Sequence, residues 1–316
     1  MKILVTGANG FIGYALCNKL LSDHCKVKGI VRSKSYNDRF LNGIDISQLE
    51  SIGPETDWSE AINGMDYVVH LAGRVHVMPN DAQDPFSSFR EINVAATERL
   101  AREAALANVK RFIYISSVKV SGEGKSTPYN EEDIPTPQDA YGISKWEAEK
   151  VLNKIYKDTG MEIVILRSPL VYGPRVKANF LRLLKIVDRG FLPLASINNR
   201  RSLIYLGNLV DAIVTCMEHP KAAGQTYFVS DGEDVSTPEL IRRISSAMGR
   251  PARLLPFPLV MLKLAGFITG QSIAMDRFLK SLTIDCSKIN RELDWQAPFS
   301  MEQGLRETAR WYKKSR

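Results

Sequence analysis

The sequence predicts an α/β fold in which helices cover both faces of a parallel β-sheet, with a smaller C-terminal domain beside it. Strand-like apolar runs alternate with helical periodicity through the first half of the chain, as a doubly wound parallel sheet requires. A glycine-rich turn joins the first of these strands directly to the first helix. The chain has 316 residues, of which 44% are apolar, so it can bury one large core or two smaller ones.

The individual elements follow from the spacing of apolar residues. Strands are predicted at 2–6, 26–31, 66–71, 110–115 and 162–167, and helices at 11–22, 88–107 and 139–158. From Ser168 onward the pattern becomes less regular, although 203–230 resembles a return to the sheet. We therefore expect a first domain over 1–168 with a return at 203–230. A second domain is expected over 169–202 and 231–316.

The glycine-rich turn at 7–13 indicates what the first domain binds. Gly7 permits the tight turn, Gly10 lets the backbone approach a pyrophosphate, and Gly13 lets the helix pack closely on the strand. The helix N-terminus then faces the phosphates. The spacing is GxxGxxG, and its position between strand and helix predicts a Rossmann-type dinucleotide-binding domain, with a substrate-binding domain after it.

Tyr141 and Lys145 are four positions apart, so they share one face of the predicted helix 139–158. A free tyrosine titrates near pH 10. A nearby ammonium, together with a nicotinamide cation, would favour the phenolate and lower the pKa of Tyr141. The pair therefore predicts a group that exchanges protons at neutral pH.

Five motifs occur in an order that is typical of one superfamily. They are TGANGFIG at 6–13, HLAG at 70–73, ISS at 115–117, YGISK at 141–145 and RSPLVYGP at 167–174. The chain resembles the extended short-chain dehydrogenase/reductase superfamily, and within it the NAD-dependent epimerase/dehydratase family. The stretches 74–78, 177–184 and 199–205 are most similar to bacterial UDP-4-keto-6-deoxy-N-acetylglucosamine 4-reductases, which make UDP-N-acetylquinovosamine.

The resemblance implies an active site in which Tyr141 exchanges the proton on the sugar O4 and Lys145 holds the nicotinamide ribose. Ser117 would hydrogen-bond O4, because it lies five residues before Gly122 as the catalytic serine of the family does, whereas Ser116 faces the other way. Asn93 would support Lys145 through water. The cofactor-binding residues implied are Gly7, Asn9, Gly10, Phe11, Ile12, Gly13, Arg32, Ile52, Leu71, Ala72, Gly73, Tyr141, Lys145, Pro169 and Val171. His70 is given no acid or base role.

For the substrate, the resemblance implies Arg201 on the sugar diphosphate, which suits a planar guanidinium. Asn179 is expected to start a helix as its N-cap and to orient amides toward a phosphate. Arg277 is a weaker diphosphate or ribose candidate. Lys119 is expected near the sugar, since Val118 and Lys119 occupy the positions of the Asp-Glu pair that dehydratases of this branch need. 4,6-Dehydration is therefore not expected.

The cofactor choice depends on Arg32, which stands where an NAD-specific site normally has an acidic residue after the second strand. An arginine there favours the 2′-phosphate of NADP(H). Alternatively, Arg32 stacks on adenine and either cofactor is accepted. The aspartate that often meets the adenine amino group is replaced by Ser51, which leaves backbone groups and Ile52 for that contact.

Composition excludes several other classes of protein. The net charge of +7 is spread along the chain without a long basic run, so nucleic acid is not an expected partner. The four cysteines have no metal-ligand spacing, and no signal peptide precedes the first strand, so we expect reduced thiols, no bound metal and a cytoplasmic protein. The apolar stretch 254–268 is too short to cross a bilayer and is expected to be a helix packed on the core. We also expect a homodimer.

These observations predict a nucleotide-sugar oxidoreductase that transfers a hydride between NAD(P)(H) and C4 of a UDP-linked sugar. The reaction expected first is reduction of UDP-4-keto-6-deoxy-N-acetylglucosamine in surface-polysaccharide precursor synthesis. The alternative is a UDP-sugar 4-epimerase, which interconverts UDP-N-acetylglucosamine and UDP-N-acetylgalactosamine or UDP-glucose and UDP-galactose. A non-catalytic dinucleotide-binding protein is a third possibility, since fold alone does not fix function.

Overall fold

A computed structural model of the protein describes residues 1–32, 43–75, 84–261 and 279–315. A seven-stranded sheet, parallel throughout, forms the first layer of the molecule, in the order β10-β6-β5-β4-β1-β2-β3. Its strands are β1 Lys2–Thr6, β2 Lys26–Val31, β3 Asp45–Gln48, β4 Tyr67–His70, β5 Arg111–Ser117, β6 Glu162–Ser168 and β10 Thr226–Phe228. The predicted α/β doubly wound fold is confirmed.

Helices cover both faces of this sheet because its strands carry apolar side chains on both sides. They are α1 Phe11–Ser22, α2 Ser59–Ile62, α3 Pro85–Arg90, α4 Ala96–Leu106, α5 Ala140–Thr159 and α7 Leu206–Glu218. On one face, α1 and α7 pack against Ile3, Val5 and Ile113. On the other, α4 and α5 pack against Leu4 and Phe112.

The helix predicted over 88–107 is interrupted. Between α3 and α4, residues Glu91–Ala95 form one turn of π-helix, and this turn carries the buried Asn93. The apolar spacing on either side of the turn is helical, so the sequence pattern gave no sign of the interruption. As a result, the π-turn sets where Asn93 lies relative to β4 and α5.

The remaining elements form a smaller apolar cluster around Tyr172, Phe180, Ile241 and Leu305. They are β7 Leu170–Tyr172, β8 Phe191–Leu192, β9 Arg201–Tyr205, β11 Asp234–Val235 and β12 Arg253–Leu254, with α6 Ala178–Arg189, α8 Thr237–Ala247 and α10 Met301–Lys314. Helix α9 Ser287–Leu293 instead buries Ile289 and Leu293 in the core of the first layer. Strands β7, β9 and β11 form a three-stranded sheet, and β8 pairs with β12.

Asp231 ties this cluster to the first layer. Its carboxylate accepts hydrogen bonds of 2.7 Å from the Tyr172 hydroxyl, the Tyr205 amide and the Asn208 side chain. Tyr172 belongs to β7, Tyr205 to β9 and Asn208 to α7. One half-buried carboxylate therefore holds three elements in a fixed relation.

The prediction of a helix over 254–268 is wrong at its start. Leu254 ends β12, and the chain then runs irregularly to Leu259, because Pro256 and Pro258 cannot donate to a helix. Residues 262–268 lie outside the described residues. Within the described parts of the chain, none of the helices combines the length and apolar character needed to cross a membrane.

Candidate active site

The turn between β1 and α1 has the shape that the glycine spacing predicts. Gly7 has φ +67°, and a Cβ added to it would lie 3.1 Å from the Ala72 amide nitrogen. A Cβ on Gly13 would lie 2.2 Å from the Gly7 carbonyl oxygen. Gly10 precedes α1, whose first turn holds no acidic residue and receives no side-chain cap. The first amides of α1 are thus open to an anion, and this cradle fits the pyrophosphate of a dinucleotide.

A second loop, 71–73, follows β4 and lies against the glycine turn. The Thr6 hydroxyl accepts hydrogen bonds of 3.1 Å from the amides of Leu71 and Ala72. His70 Nδ1 is 2.7 Å from the same hydroxyl. Burial lowers the pKa of His70 to about 3, with Lys145 adding to the shift, so the imidazole is neutral at pH 7. His70 therefore supports the loop, and the structure gives it no exposed acid or base function.

Tyr141 and Ser117 meet where β5 ends and α5 begins. The Asp139 carboxylate caps α5 by accepting a 2.7 Å bond from the Gly142 amide, which fixes the helix two residues from Tyr141. Burial raises the pKa of Tyr141 to about 12, and the hydrogen bond with Ser117 opposes this rise. The sequence predicts a lowered pKa; in the free protein desolvation is the larger effect, so the phenol is protonated at pH 7.

Ser116 and Ser117 point to opposite sides of β5, as strand alternation predicts. The Ser116 hydroxyl donates a 2.5 Å bond to Glu149. Glu149 also accepts a 2.7 Å bond from Arg167, and both side chains are buried. Ser116 thus belongs to a buried ionic cluster, whereas Ser117 faces Tyr141.

Lys145 is 6% exposed and lies over β5. Its Nζ donates a 2.9 Å hydrogen bond to the Ile115 carbonyl and is 4.4 Å from the centroid of the Tyr114 ring. Burial lowers the pKa of Lys145 to about 8, and the nearby Glu149 carboxylate opposes the shift. A Cβ added to Gly73 would be 3.6 Å from this Nζ, so the loop after β4 approaches Lys145.

Asn93 holds the loop after β4 through direct contacts. Its Oδ1 accepts a 2.8 Å bond from the Arg74 amide, and its Nδ2 donates to the Arg74 carbonyl and to the Ser144 hydroxyl, each at 3.0 Å. Ser144 precedes Lys145 on α5, so Asn93 joins that helix to the loop. Support of Lys145 through a water molecule stays a prediction.

Lys119 has a partner that the sequence did not indicate. Its Nζ lies 2.5 Å from Asp139, the residue that caps α5, and 5.8 Å from the centroid of the Tyr141 ring. The side chain is about one-third exposed. Lys119 therefore stabilises the start of the helix that contains Tyr141. A contact between Lys119 and the sugar stays a prediction.

The other residues predicted to bind the substrate are Arg201, Asn179 and Arg277. Arg201 donates a 3.0 Å bond to the Lys280 carbonyl, and burial lowers the pKa of its guanidinium. Asn179 is exposed and is the second residue of α6, whose N-cap is Lys177, so the prediction of Asn179 as the N-cap is wrong. The chain enters the helix two residues earlier than expected, through Ala178 at φ +51°. Arg277 lies outside the described residues.

The remaining predicted cofactor residues lie at or near the carboxyl ends of the strands. Arg32 is exposed immediately after β2, and the residues that follow it, 33–42, lie outside the described part of the chain. Ile52 packs partly against the core beneath α4. Asn9, Phe11, Ile12, Leu71 and Ala72 are half-buried, Val171 lies on β7, and Pro169 is buried between β6 and β7.

Three residues of this site were not singled out from the sequence. Asp139 could have been found, because an aspartate immediately before a helical pattern is an N-cap signal. Tyr114 and Glu149 could not, since an aromatic residue in a buried strand and a glutamate on a helix are ordinary at those places. Among the described residues, His, Cys, Asp and Glu side chains form no cluster of three that could hold a metal ion.

The chain was compared with models of known protein families. The match agrees with the glycine cradle and with the grouping of Ser117, Tyr141 and Lys145. Residues 3–230 match the family model described as the NAD dependent epimerase/dehydratase family. The chain belongs to this family. The family resemblance predicted from the sequence motifs is thereby confirmed.

Individual relatives cover nearly the whole chain. A UDP-glucose 4-epimerase from Vibrio cholerae is 43% identical over 313 residues, which is 98% of this chain and 94% of that protein. An N-acetyl-alpha-D-glucosaminyl-diphospho-ditrans,octacis-undecaprenol 4-epimerase from Escherichia coli O157:H7 is 28% identical over 98% of this chain and 95% of that protein. The crystal structure of UDP-glucuronic acid 4-epimerase from Bacillus cereus, in complex with UDP-glucuronic acid and NAD, has a TM-score of 0.81 at 26% identity and covers 100% of both chains.

Proposed function

We propose that the protein transfers a hydride between a nicotinamide cofactor and C4 of a UDP-linked sugar, and that its overall reaction is 4-epimerisation. The observation that carries the proposal is the placement of Ser117, Tyr141 and Lys145 beside the glycine cradle of β1 and α1. The similarity to 4-epimerases over nearly the full chain supports a UDP-sugar as the substrate and NAD as the cofactor.

Each residue of the set has a defined task in this reaction. A bound nicotinamide would accept the hydride from C4 and return it. The Tyr141 phenolate takes the proton from the sugar O4 during oxidation, and the resulting phenol gives that proton back to the same oxygen on reduction. Ser117 hydrogen-bonds both Tyr141 and O4 and keeps them aligned. Lys145 favours the phenolate of Tyr141 and offers its remaining N–H groups to ribose hydroxyls.

A second candidate is reduction of UDP-4-keto-6-deoxy-N-acetylglucosamine to the 6-deoxy sugar. The stretches 177–184 and 199–205 favour it, because they are most similar to reductases that make UDP-N-acetylquinovosamine. Val118 and Lys119 replace the dehydratase acid pair, so a separate enzyme would have to supply the keto-sugar. The two reactions share the chemistry at C4 and differ in whether the cofactor is consumed.

One experiment separates the two candidates. The purified protein is incubated with UDP-glucose, UDP-N-acetylglucosamine or the 4-keto-6-deoxy sugar, and nicotinamide absorbance is followed while NMR resolves the sugars. An epimerase inverts C4 without net change in absorbance. A reductase oxidises one equivalent of NADH or NADPH per 6-deoxy product. No turnover of any of the UDP-sugars would contradict both candidates and favour a non-catalytic dinucleotide-binding protein.

Cofactor preference is tested at Arg32. The similar Bacillus cereus structure is a complex with NAD, whereas an arginine after β2 favours a 2′-phosphate, so the preference for NADP(H) is part of this proposal. If Arg32 contacts that phosphate, Arg32→Ala weakens NADPH binding more than NADH binding, by about tenfold for one charge-assisted contact. Fluorescence titration of both cofactors into both proteins measures the ratio. An unchanged ratio would show that Arg32 does not touch the 2′-phosphate.

A further inference from the structure

The Lys145 ammonium rests against an aromatic ring that the reaction does not directly require. Its Nζ is 4.4 Å from the centroid of the Tyr114 ring, well inside the roughly 6 Å range of a cation–π interaction. Tyr114 is 1% exposed and Lys145 is 6% exposed, so water screens this contact little. One N–H of the ammonium also bonds the Ile115 carbonyl at 2.9 Å.

The Tyr114 ring is itself held in place. Tyr114 on β5 pairs in register with His70 on β4, and the two rings stack 5.9 Å apart with an interplanar angle of 20°. His70 is fixed by hydrogen bonds to Thr6 at 2.7 Å and to Thr97 at 3.0 Å. The ring under Lys145 is therefore anchored to the strand that carries the glycine turn.

We propose that Tyr114 is a positioning residue whose ring face holds the Lys145 ammonium in place and keeps it charged. This inference rests on the proposed function of Lys145. A carboxylate at the same place would also stabilise the charge, but it would accept the N–H groups that Lys145 needs for ribose hydroxyls. A ring face attracts the cation without taking a full hydrogen bond.

The need for such support follows from the surroundings of Lys145. Burial lowers the pKa of Lys145 to about 8, close to neutral pH. The titratable groups coupled to Lys145 are His70 on β4 and Glu149 on α5, and the Tyr114 ring on β5 lies against it. His70 is neutral at pH 7, and the Glu149 side chain is already bound to Ser116 and Arg167. Because Glu149 is shared among several partners, the face of the Tyr114 ring adds to the attraction that holds the Lys145 ammonium.

Three substitutions at one position isolate the ring. Tyr114→Phe is the matched control, because it keeps the ring and removes only the hydroxyl, which faces Thr97. Tyr114→3,4,5-trifluorophenylalanine keeps the ring but removes the negative potential of its face. Tyr114→Leu removes the ring altogether. The titration of Lys145 is measured by NMR in full-length protein with ¹³Cε-labelled lysine, and the signal is assigned by its loss in Lys145→Arg.

We expect the Lys145 pKa to be unchanged in Tyr114→Phe and to fall by about 0.5–1 pH unit in the trifluoro and Leu variants. The alkaline limb of kcat/KM should move to lower pH by the same amount, with the Phe variant again like wild type. Equal pKa values in the Phe and trifluoro variants would overturn the proposal, even if the Leu variant fails to fold. The NMR titration needs no substrate, so loss of the proposed function and loss of this inference are separate outcomes.

Discussion

At the scale of single residues, Tyr141 is the group on which the proposed chemistry depends most. Its ring lies 6.3 Å from Phe89, edge to face, so removal of the hydroxyl leaves the packing intact. We expect Tyr141→Phe to keep dinucleotide binding and to lose turnover by about 10²-fold or more, the usual scale for a positioned acid–base group. Cofactor titration and product NMR measure the two properties separately.

Tyr156→Phe is the control for this substitution, since Tyr156 lies on the same helix, α5, far from Ser117. It should retain full turnover. Wild-type rates in Tyr141→Phe would remove the phenol from the mechanism.

The sequence predicted the identities at this site better than their electrostatics. Ser117, Tyr141 and Lys145 are brought together, and the alternation of Ser116 and Ser117 on β5 is as expected. The sequence did not predict the desolvation that raises the Tyr141 pKa in the free protein, because desolvation depends on packing that no local pattern encodes. The lowering expected with a bound nicotinamide stays a prediction. The pairing of Lys119 with Asp139 was missed for the same reason, since the two residues are 20 positions apart.

At the scale of elements, the junction of β1 and α1 tolerates no side chain at Gly13. An added Cβ would lie 2.2 Å from the Gly7 carbonyl oxygen and 2.9 Å from the Ala8 Cα, so the backbone of the turn would have to move. We expect Gly13→Ala to weaken dinucleotide binding at least tenfold and to destabilise the fold by about 1–3 kcal/mol. Cofactor titration and urea unfolding measure these effects.

The matched control for Gly13→Ala is Gly53→Ala. A Cβ on Gly53 would meet only the Glu91 carboxylate, at 3.9 Å. This variant should bind cofactor like wild type. If both variants bind equally well, the turn does not form the pyrophosphate cradle.

The interface between α5 and the sheet contains a buried ion pair, and its loss is expected to lower the free energy of unfolding. Glu149 bonds Arg167 and Ser116, and its removal would leave the Arg167 guanidinium buried without a counter-charge. We expect Glu149→Gln to lower the free energy of unfolding by about 3–5 kcal/mol. Urea unfolding followed by circular dichroism provides the measurement.

Glu147→Gln, two positions earlier on α5, is the comparison. Glu147 pairs with Arg90 at 2.6 Å, but Arg90 is largely exposed, so this loss should be far smaller. Equal losses in the two variants would show that burial does not strengthen the Glu149 pair.

Element boundaries followed closely from the sequence where apolar runs were bounded by glycine or polar residues. Strands β1 and β2 and helix α1 begin and end as predicted. Strand β3 was missed, because Asp45–Gln48 is mostly exposed and lacks an apolar run. The π-turn before α4 was missed because one extra residue per turn barely changes the apolar spacing.

At the scale of the whole molecule, His70 makes stability depend on pH. The folded-state pKa is about 3, below the ordinary value of 6.5, so between these values the unfolded chain binds a proton that the folded chain does not. Stability is therefore fully present above about pH 6.5 and is lost as the pH falls toward 3. The slope contributed by this one group approaches about 1.4 kcal/mol per pH unit.

Replacement of the imidazole tests this assignment. His70→Gln should show a shallower loss of unfolding free energy between pH 6.5 and pH 4 than wild type, whatever its stability at neutral pH. Urea unfolding at a series of pH values gives the slope. Identical slopes in the two proteins would assign the acid sensitivity to other groups.

The ion pair between Lys119 and Asp139 constrains how this site could evolve. A change of Lys119 to the acid that dehydratases carry would set two carboxylates against each other at the cap of the helix that bears Tyr141. Such a variant is expected to disturb the position of Tyr141. A second change at Asp139 would have to accompany it. A single change at Lys119 is therefore expected to cost stability at the start of α5, and positions 119 and 139 are expected to change together.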